Sequence, residues 1–401
     1  MVHVAHSRKC RVYNRLHFLR VVGRCLSSCD HVFFLAAQSP SHRRISLREI
    51  TQFCETKFYA QTLFRGAKDD YLLGIYSLKT TLNQRALSVI ETAVQDSSND
   101  IVPVDVAGDA TVLDFAINRQ GSVADGVTLA RICMADLADV TITPSDSPDF
   151  PLQRVNVATD FPVLACMASQ YAGWPLAEGD YFAMCSGPAR SLRGREDVLK
   201  ELDVIHQSDV AVGVLETSTV PTEEAIAKFA SDCSVSESNV TLCVARTASL
   251  PGTIQVVARS VETAMHKLHE LGFDLLSVKS GNGSAPLPPI AGDDLTALGW
   301  TNDAILYGGC VNLSVDTDDE AITSILDRVP SSSSSDFGTP FLDIFNSYDK
   351  DFYKIDKLLF SPAKVVINNL RSGNSFEAGA IHNDVLRKSF GPEASLSGDA
   401  E

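Results

Sequence analysis

From Leu82 onward, short apolar runs alternate with amphipathic segments of helical period, and this alternation limits the possible folds more than any other feature. The runs at 209–215 and 240–245 have the composition of buried strands. Near the C-terminus, 364–370 and 375–380 flank Arg-Ser-Gly-Asn, which predicts an antiparallel hairpin. Alternating strands and helices in the middle, with hairpin-like strands at the ends, predict an α+β (mixed α/β) chain.

Composition divides the chain into three regions. The first 57 residues are basic, with only Asp30, Glu49 and Glu55 acidic, and we expect residues 1–80 to be a poorly structured basic N-terminal extension. Such a segment is an N-terminal arm, a targeting sequence or upstream sequence included by an early start site, and we favour the last. Residues 81–390 form the body, and residues 391–401 are expected to be a disordered tail.

Charge and cysteine usage exclude several classes of protein. The net charge of −16 argues against a nucleic-acid or anionic-membrane partner, and no run approaches the roughly 20 apolar residues of a membrane span. The ten cysteines are scattered, so we expect free thiols in a cytoplasmic protein. Neither Cys25, Cys29 and His31 nor the pair His266 and His269 follows a zinc-binding pattern, so no metal is predicted.

The stretch 249–272 is predicted to form one amphipathic helix from Thr253 to Leu271, with Thr253 as N-cap and Gly272 just past its end. Arg259 and Glu262 lie three residues apart on it, so their side chains can pair. The pair is either a solvated ion pair worth about 0.2–0.5 kcal/mol or a carboxylate held ionised for use as a general base. Spacing alone does not decide between them.

Three segments rich in small or polar residues, 185–190, 280–289 and 301–309, are predicted to be loops beside strands. Loops at strand ends commonly bind ligands, so these segments and the Arg259/Glu262 face suggest a pocket for a polar, extended ligand. For the Asn and Asp of 301–309, a capped turn is the alternative.

Several long motifs resemble those of the methenyltetrahydromethanopterin cyclohydrolase family. The resemblance runs from about Leu82 to Phe390, and its motifs are Asp-Tyr-Phe-Ala-Met-Cys-Ser-Gly-Pro-Ala-Arg (180–190), Arg-Ser-Val-Glu-Thr-Ala (259–264), His-Glu-Leu-Gly-Phe (269–273), Ser-Gly-Asn-Gly-Ser-Ala-Pro (280–286), Thr-Asn-Asp-Ala-Ile-Leu-Tyr-Gly (301–308), Asp-Phe-Tyr-Lys-Ile-Asp (351–356) and Phe-Ser-Pro-Ala (360–363). Two positions depart from the family pattern: Cys185 stands where glycine is usual, and Trp300 where a smaller or basic residue is usual.

The resemblance implies hydrolysis of 5,10-methenyl-tetrahydromethanopterin to a formyl derivative, commonly N5-formyl, by a homotrimer that needs no metal and no redox cofactor. It implies two α/β-type domains with the ligand pocket between them. The family's catalytic Arg and Glu correspond to Arg259 and Glu262, with Glu262 as general base and Arg259 keeping it ionised. Two alternatives stay open: a non-catalytic pterin-binding protein and a related one-carbon transferase.

The same resemblance implies a set of substrate-binding residues. Cations are expected to hold the anionic tail of the pterin carrier, and polar groups to bind the pterin ring. The expected residues are Ser186, Gly187, Pro188 and Thr301 along the motifs, Arg190, Lys267 and Lys279 as cations, and Asn302, Asp303 and Tyr307 at the ring. Because the charged-residue enrichment of hyperthermophiles is missing, formaldehyde oxidation is the expected metabolic setting.

Overall fold

The computed structural model describes residues 80–96, 101–106, 108–145, 150–171 and 173–391. The predicted basic extension up to residue 79, including Cys25, Cys29 and His31, lies outside the described residues, as does the predicted tail from residue 392. Both sheets described below belong to one compact unit.

The described body contains eleven α-helices, one π-helix and twelve strands, with short 3-10 turns between them. The α-helices are α1 (Leu82–Gln95), α2 (Val123–Cys133), α3 (Ala189–Arg193), α4 (Asp197–Glu201), α5 (Glu223–Cys233), α6 (Leu250–Val257), α7 (Ser260–Glu270), α8 (Asp294–Gly308), α9 (Asp319–Thr323), α10 (Phe341–Ser347) and α11 (Asn383–Phe390). The strands are β1 (Val102–Pro103), β2 (Thr111–Ala116), β3 (Asp139–Thr143), β4 (Arg154–Thr159), β5 (Trp174–Glu178), β6 (Tyr181–Ser186), β7 (Ala211–Glu216), β8 (Val240–Ala245), β9 (Val278–Pro286), β10 (Cys310–Val315), β11 (Lys364–Asn369) and β12 (Ser375–Gly379). The chain is therefore an α+β protein, as predicted.

The first sheet has the order β1-β2-β8-β7-β6-β5, with β2, β8 and β7 parallel and the outer pairs antiparallel. Successive side chains of its central strand β7 pack into two different hydrophobic cores. Val212 and Val214 pack with α1 and α2, whereas Ala211 and Leu215 pack with α5. Because both faces are covered, the central strands are apolar throughout, which is why the sequence identified them.

The second sheet has the order β12-β11-β10-β9-β4-β3 and is antiparallel except between β10 and β11. The predicted C-terminal hairpin is confirmed, since Lys364 pairs with Gly379 and Asn368 with Ser375 in antiparallel register. Helix α7 packs against β9 and β10 of this sheet, whereas α6 packs against α2 and β2 of the first.

The prediction of a single helix over Thr253–Leu271 is wrong. The stretch forms two helices, α6 and α7, with a break at Ala258 and Arg259. The N-cap is Ser249, not Thr253, because the Ser249 side chain accepts from the backbone N–H of Gly252. Gly272, with a φ of +75°, follows α7 as predicted. The break lies where the chain leaves the helix layer of one sheet and joins the other.

Two of the predicted loops are regular structure. Residues 280–286 belong to β9, and residues 301–308 belong to α8. The glycines of β9 let α7 approach the strand closely: a Cβ at Gly283 would lie 2.3 Å from Ser260 Oγ, and one at Gly281 would lie 2.6 Å from Val261 Cγ1. The Gly-x-Gly pattern therefore serves helix packing here.

Two further findings concern the described residues only. None of their helices combines the length and the apolar character that a bilayer crossing requires. Among the same residues, no three or more His, Cys, Asp or Glu side chains come together as a set of metal ligands.

Candidate active site

Arg259 lies at the break between α6 and α7, and its side chain is only 7% exposed. The guanidinium donates from Nη1 to the Gln170 carbonyl (2.6 Å), from Nη2 to Ser186 Oγ and Glu216 Oε1 (3.1 Å each), and from Nε to Gln255 Oε1 (3.3 Å). A guanidinium has five N–H groups, so four described acceptors fix it almost completely. Arg259 is therefore a rigid, buried cation.

Gln170 ends the π-helix Val163–Gln170, which corresponds to the small apolar helix predicted over 161–171. Besides accepting from Arg259, it donates from Nε2 to the Ala258 carbonyl at 3.3 Å. One residue earlier, the Ser169 carbonyl accepts from the Gly187 N–H at 2.9 Å. π-Helical turns are frequent at functional sites, and this one joins the helix break to the Ser186–Gly187 turn.

The Ser186–Gly187 turn follows β6. Ser186 Oγ accepts from Arg259 and lies 3.3 Å from Cys133 Sγ. Gly187 has a φ of +95°, which side chains other than glycine rarely adopt, and a Cβ there would lie 3.2 Å from the Val214 backbone N. Pro188 next to it is buried, and its carbonyl accepts from Asn83 Nδ2 at 3.2 Å. The structure thus joins the predicted Ser186–Pro188 segment to Arg259.

Glu216 is the residue that forms the ion pair with Arg259, and the sequence analysis missed it. It ends β7, and its Oε1 lies 3.1 Å from Arg259 Nη2. Burial raises the pKa of the Glu216 carboxyl, and Arg259 opposes that rise. Burial likewise acts to lower the pKa of Arg259, but Glu216, Cys133 and Glu262 together outweigh it and the net shift of that pKa is upward. The predicted helix neighbour Glu262 acts on Arg259 more weakly than Glu216 does.

Glu262 lies in the first turn of α7 and is 6% exposed. Its charge acts on several buried groups around it. Burial and then Glu262 raise the pKa of Tyr171 to about 12, and the same two causes raise the pKa of Cys166 well above its usual value. Glu262 is therefore close to the end of the π-helix and to Arg259, in the same buried neighbourhood.

Arg190 in α3 also belongs to this neighbourhood. It is fully buried, lies over the Tyr171 ring at 4.6 Å, and forms an ion pair with Glu196 at 3.0 Å. Burial lowers the pKa of Arg190, with Glu196, Tyr171 and Glu262 opposing. Its Nε, Nη1 and Nη2 have no hydrogen-bond partner of good geometry among the described residues. Buried donors without hydrogen-bond acceptors are costly.

The other predicted substrate-binding side chains make their hydrogen bonds within their own surroundings. Thr301 and Asn302 donate to carbonyls one turn earlier in α8, at Ala297 (2.8 Å) and Leu298 (2.8 Å). Lys279 Nζ donates to the Leu276 carbonyl at 2.9 Å.

Asp303 and Tyr307 tie α8 to later segments. Asp303 accepts from the Phe341 N–H (2.8 Å) and Ser389 Oγ (2.5 Å), and burial raises its pKa to about 7. Tyr307 donates to the Thr339 carbonyl at 2.6 Å. In the described part of the chain, none of these hydrogen bonds reaches Arg259 or Glu262.

Comparison with known proteins identifies the family. The family described as Cyclohydrolase (MCH) matches residues 81–390. A methenyltetrahydromethanopterin cyclohydrolase of Rhodopirellula baltica is 50% identical over 295 residues, 72% of this chain and 88% of that protein. The chain belongs to the methenyltetrahydromethanopterin cyclohydrolase family. Proteins of the same name from Methanococcoides burtonii (41% over 314 residues, 78% of this chain and 98% of that protein) and Methylobacillus flagellatus (44% over 286 residues, 71% and 87%) are also similar.

In this cyclohydrolase-family chain, the sequence analysis missed three of the four residues that accept hydrogen bonds from Arg259, namely Gln170, Glu216 and Gln255. Glu216 could have been found, because it is the first charged residue after the apolar run 210–215, at the carboxyl end of a buried strand. Gln170 comes two residues after the apolar run 163–168. Nothing local connects either residue to Arg259, since the contacts span 43 and 89 positions.

Lys267 makes its described hydrogen bonds within the protein. It is fully buried on α7, and its Nζ donates to Ser333 Oγ (3.0 Å) and to the Leu358 carbonyl. Burial lowers its pKa to about 8, opposed by Asp356. These contacts join α7 to the 331–359 segment. The predicted substrate contact of Lys267 stays a prediction.

Replacing Lys267 by methionine separates these two roles. In the folded protein Lys267 loses its proton near pH 8, but in the unfolded chain only near pH 10.4, so its contribution to stability rises with pH across that window. We expect wild type to gain about 1 kcal/mol relative to Lys267→Met between pH 7 and pH 9 in urea unfolding, and an unchanged KM would restrict Lys267 to this structural role. A raised KM with no pH-dependent stability difference would instead support the substrate contact.

Proposed function

We propose that this protein hydrolyses 5,10-methenyl-tetrahydromethanopterin to the N5-formyl derivative, with Glu262 as general base and Arg259 as the cation that orients it. The observation that carries the proposal is a buried cluster of charge at the break between α6 and α7 in a chain of the cyclohydrolase family. Arg259 is fixed there by four acceptors, and Glu262 lies one turn further along α7.

The charge of the cluster suits the reacting carbon. Two guanidinium groups, Arg190 and Arg259, lie among the carboxylates of Glu196, Glu216 and Glu262. With all five ionised, the carboxylates outnumber the cations by one. The methenyl carbon carries one positive charge, and burial strengthens its attraction to such a site.

The reaction needs no further activation of the carbon. A water molecule adds to the methenyl carbon, and Glu262 accepts the proton that the water loses. The bond from this carbon to N10 then breaks, Glu262 returns its proton to N10, and the added oxygen becomes the formyl C=O. The second proton of the water passes to solvent, so the cationic substrate and water give a neutral product and one proton. A positioned proton acceptor contributes about 10²–10⁴-fold to such a step.

One spectroscopic assay tests this function. We expect the purified protein to remove the methenyl absorbance of the substrate in buffer alone, with N5-formyl product identified by mass spectrometry and NMR. Loss of absorbance only when a second acceptor is added would indicate a one-carbon transferase. Binding without loss of absorbance would indicate a pterin-binding protein. We propose that no metal or redox cofactor takes part, so prior treatment with a chelator should leave the rate unchanged.

The family resemblance also supports the remaining parts of the proposal. We propose a homotrimer with the pterin substrate between the regions built on the two sheets, a cytoplasmic location, and a role in formaldehyde oxidation. Light scattering of the purified protein tests the trimer directly.

Arg190 is proposed to bind an oxygen of the substrate, because its buried side-chain nitrogens make no hydrogen bond to the described residues. We expect Arg190→Gln to raise KM about tenfold, as the loss of a charged hydrogen bond does. Buried charges are screened little, so the effect should change little with salt. Arg195→Gln is the matched control, because Arg195 is exposed and pairs with Asp232 at 2.6 Å. An unchanged KM for Arg190→Gln would remove Arg190 from the substrate site.

A further inference from the structure

We propose that Glu216 is a positioning residue of the reaction: it neutralises Arg259 and holds the guanidinium on the first sheet, and thereby sets how strongly Arg259 lowers the basicity of the Glu262 carboxylate. This inference rests on the proposed function, because it assigns a role around the same base. Neither the helix spacing nor the family motifs point to Glu216.

The backbone of Glu216 is fixed on both sides. It is the last residue of β7, a central strand, and its register partners are Met184 of β6 and Ala245 of β8. Its Oε1 accepts from Arg259 Nη2 (3.1 Å) and from Gln255 Nε2 (3.5 Å). A carboxylate carried on a paired strand holds its partner more precisely than one carried on a loop.

Among the four acceptors described around Arg259, Glu216 is the one that carries charge. The other three are a backbone carbonyl, a hydroxyl and an amide oxygen. Without Glu216, the buried cation would be balanced mainly by Glu262, one turn away. An opposite charge at such a distance favours the ionised carboxylate, so Glu262 would become a weaker base and would be drawn towards the guanidinium.

The charged and titratable groups described as interacting with Glu262 or Arg259 lie on several elements. They are Cys133 on α2, Cys166 in the π-helix, Tyr171 after it, Arg190 on α3, Glu216 on β7 and Arg259 before α7. The thiols and the phenol of this set have raised pKa values and stay neutral between pH 5 and 8, so the two arginines and Glu216 are the members of the set that carry charge in that range.

Glu216→Gln keeps the shape of the side chain and removes its charge. We expect kcat to fall about tenfold with KM little changed, because the lost interaction acts on the chemical step. We also expect the acid limb of the kcat/KM profile to move to lower pH by about one unit, since Glu262 then faces an uncompensated cation. A purely structural role would lower the melting temperature without moving that limb. Glu178→Gln, on the exposed part of β5, is the control.

A double-mutant cycle tests whether Glu216 acts through Arg259. In the Arg259→Gln background, Glu216→Gln should cost little further activity, because its partner is already gone. Glu216→Asp keeps the negative charge on a side chain one methylene shorter. It should leave the acid limb of the kcat/KM profile at its wild-type pH and lower kcat less than Glu216→Gln does. If Glu216→Gln does not fold, the double variant and Glu216→Asp carry the test.

The outcomes separate this inference from the function on which it rests. Turnover by wild type, with an unmoved acid limb in Glu216→Gln or with fully additive losses in the cycle, would overturn the role of Glu216 and leave the hydrolase intact. Absence of hydrolysis by wild type would overturn the function itself.

Discussion

Replacing Glu262 by glutamine should reduce kcat by about 10²–10⁴-fold, the contribution of a positioned proton-transfer group. Glutamine has nearly the same shape, but its amide cannot accept a proton from water near neutral pH. Glu262 is buried in the first turn of α7, beside a cation that four acceptors hold in place, so the substitution should leave the fold unchanged. We expect substrate still to bind, but more weakly, because the variant loses the one excess negative charge of the proposed site and keeps its other groups.

The measurements are single-turnover decay of the methenyl absorbance and equilibrium binding of the substrate to the same preparation. Glu270→Gln is the matched control, since Glu270 ends the same helix, is exposed, and forms an ion pair with Lys357 at 3.5 Å. Near-normal turnover by Glu262→Gln would exclude Glu262 as the base, whatever the family membership of the chain.

The strands were the most predictable part of this fold. Strand β8 has the bounds that its apolar run predicts, and the C-terminal hairpin pairs as expected. Both follow from local rules: a doubly covered strand is apolar throughout, and a turn sequence between two strand-like runs favours a hairpin.

The break in the helix was not predictable from local sequence. Ala258 and Arg259 are both good helix formers, and no glycine or proline marks the position. The break is a tertiary effect: α6 packs on the first sheet, whereas α7 packs closely on the glycines of β9 in the second. Consequently Arg259 was correctly singled out, but its ion-pair partner was expected on the same helix instead of at the end of β7.

The helix α8 was wrongly predicted as a loop, again because distant parts of the chain determine its structure. Its Thr, Asn, Asp and Gly residues suggest a loop, yet Thr301 and Asn302 bond back to their own helix, and Asp303 accepts from groups near α10 and α11. Polar residues in a buried helix are tolerated when each finds a partner, and those partners lie up to 86 positions away in the sequence.

Replacing Arg259 by glutamine should lower the free energy of unfolding by about 3 kcal/mol at pH 8, because it leaves one member of a buried ion pair without its partner. Burial already raises the pKa of Glu216 against the opposing charge of Arg259, so removing the arginine should raise that pKa further. When a carboxyl binds its proton more tightly in the folded than in the unfolded state, the protein loses stability as pH rises from about 4.3 through the folded-state pKa of that carboxyl. The variant should therefore be less impaired at pH 5 than at pH 8, as measured by urea unfolding at both values.

Two further variants make this prediction specific to the ion pair. Arg259→Gln with Glu216→Gln removes both charges and should regain much of the stability lost at pH 8, since no uncompensated carboxylate remains. Arg371→Gln removes an exposed arginine that pairs with Asp316 and Asp318 at 2.8 Å each, and it should change the stability little at either pH. Equal destabilisation of Arg259→Gln at both pH values, with no recovery in the double variant, would show that Glu216 is not held ionised by Arg259, and the electrostatic account of this site would fail with it.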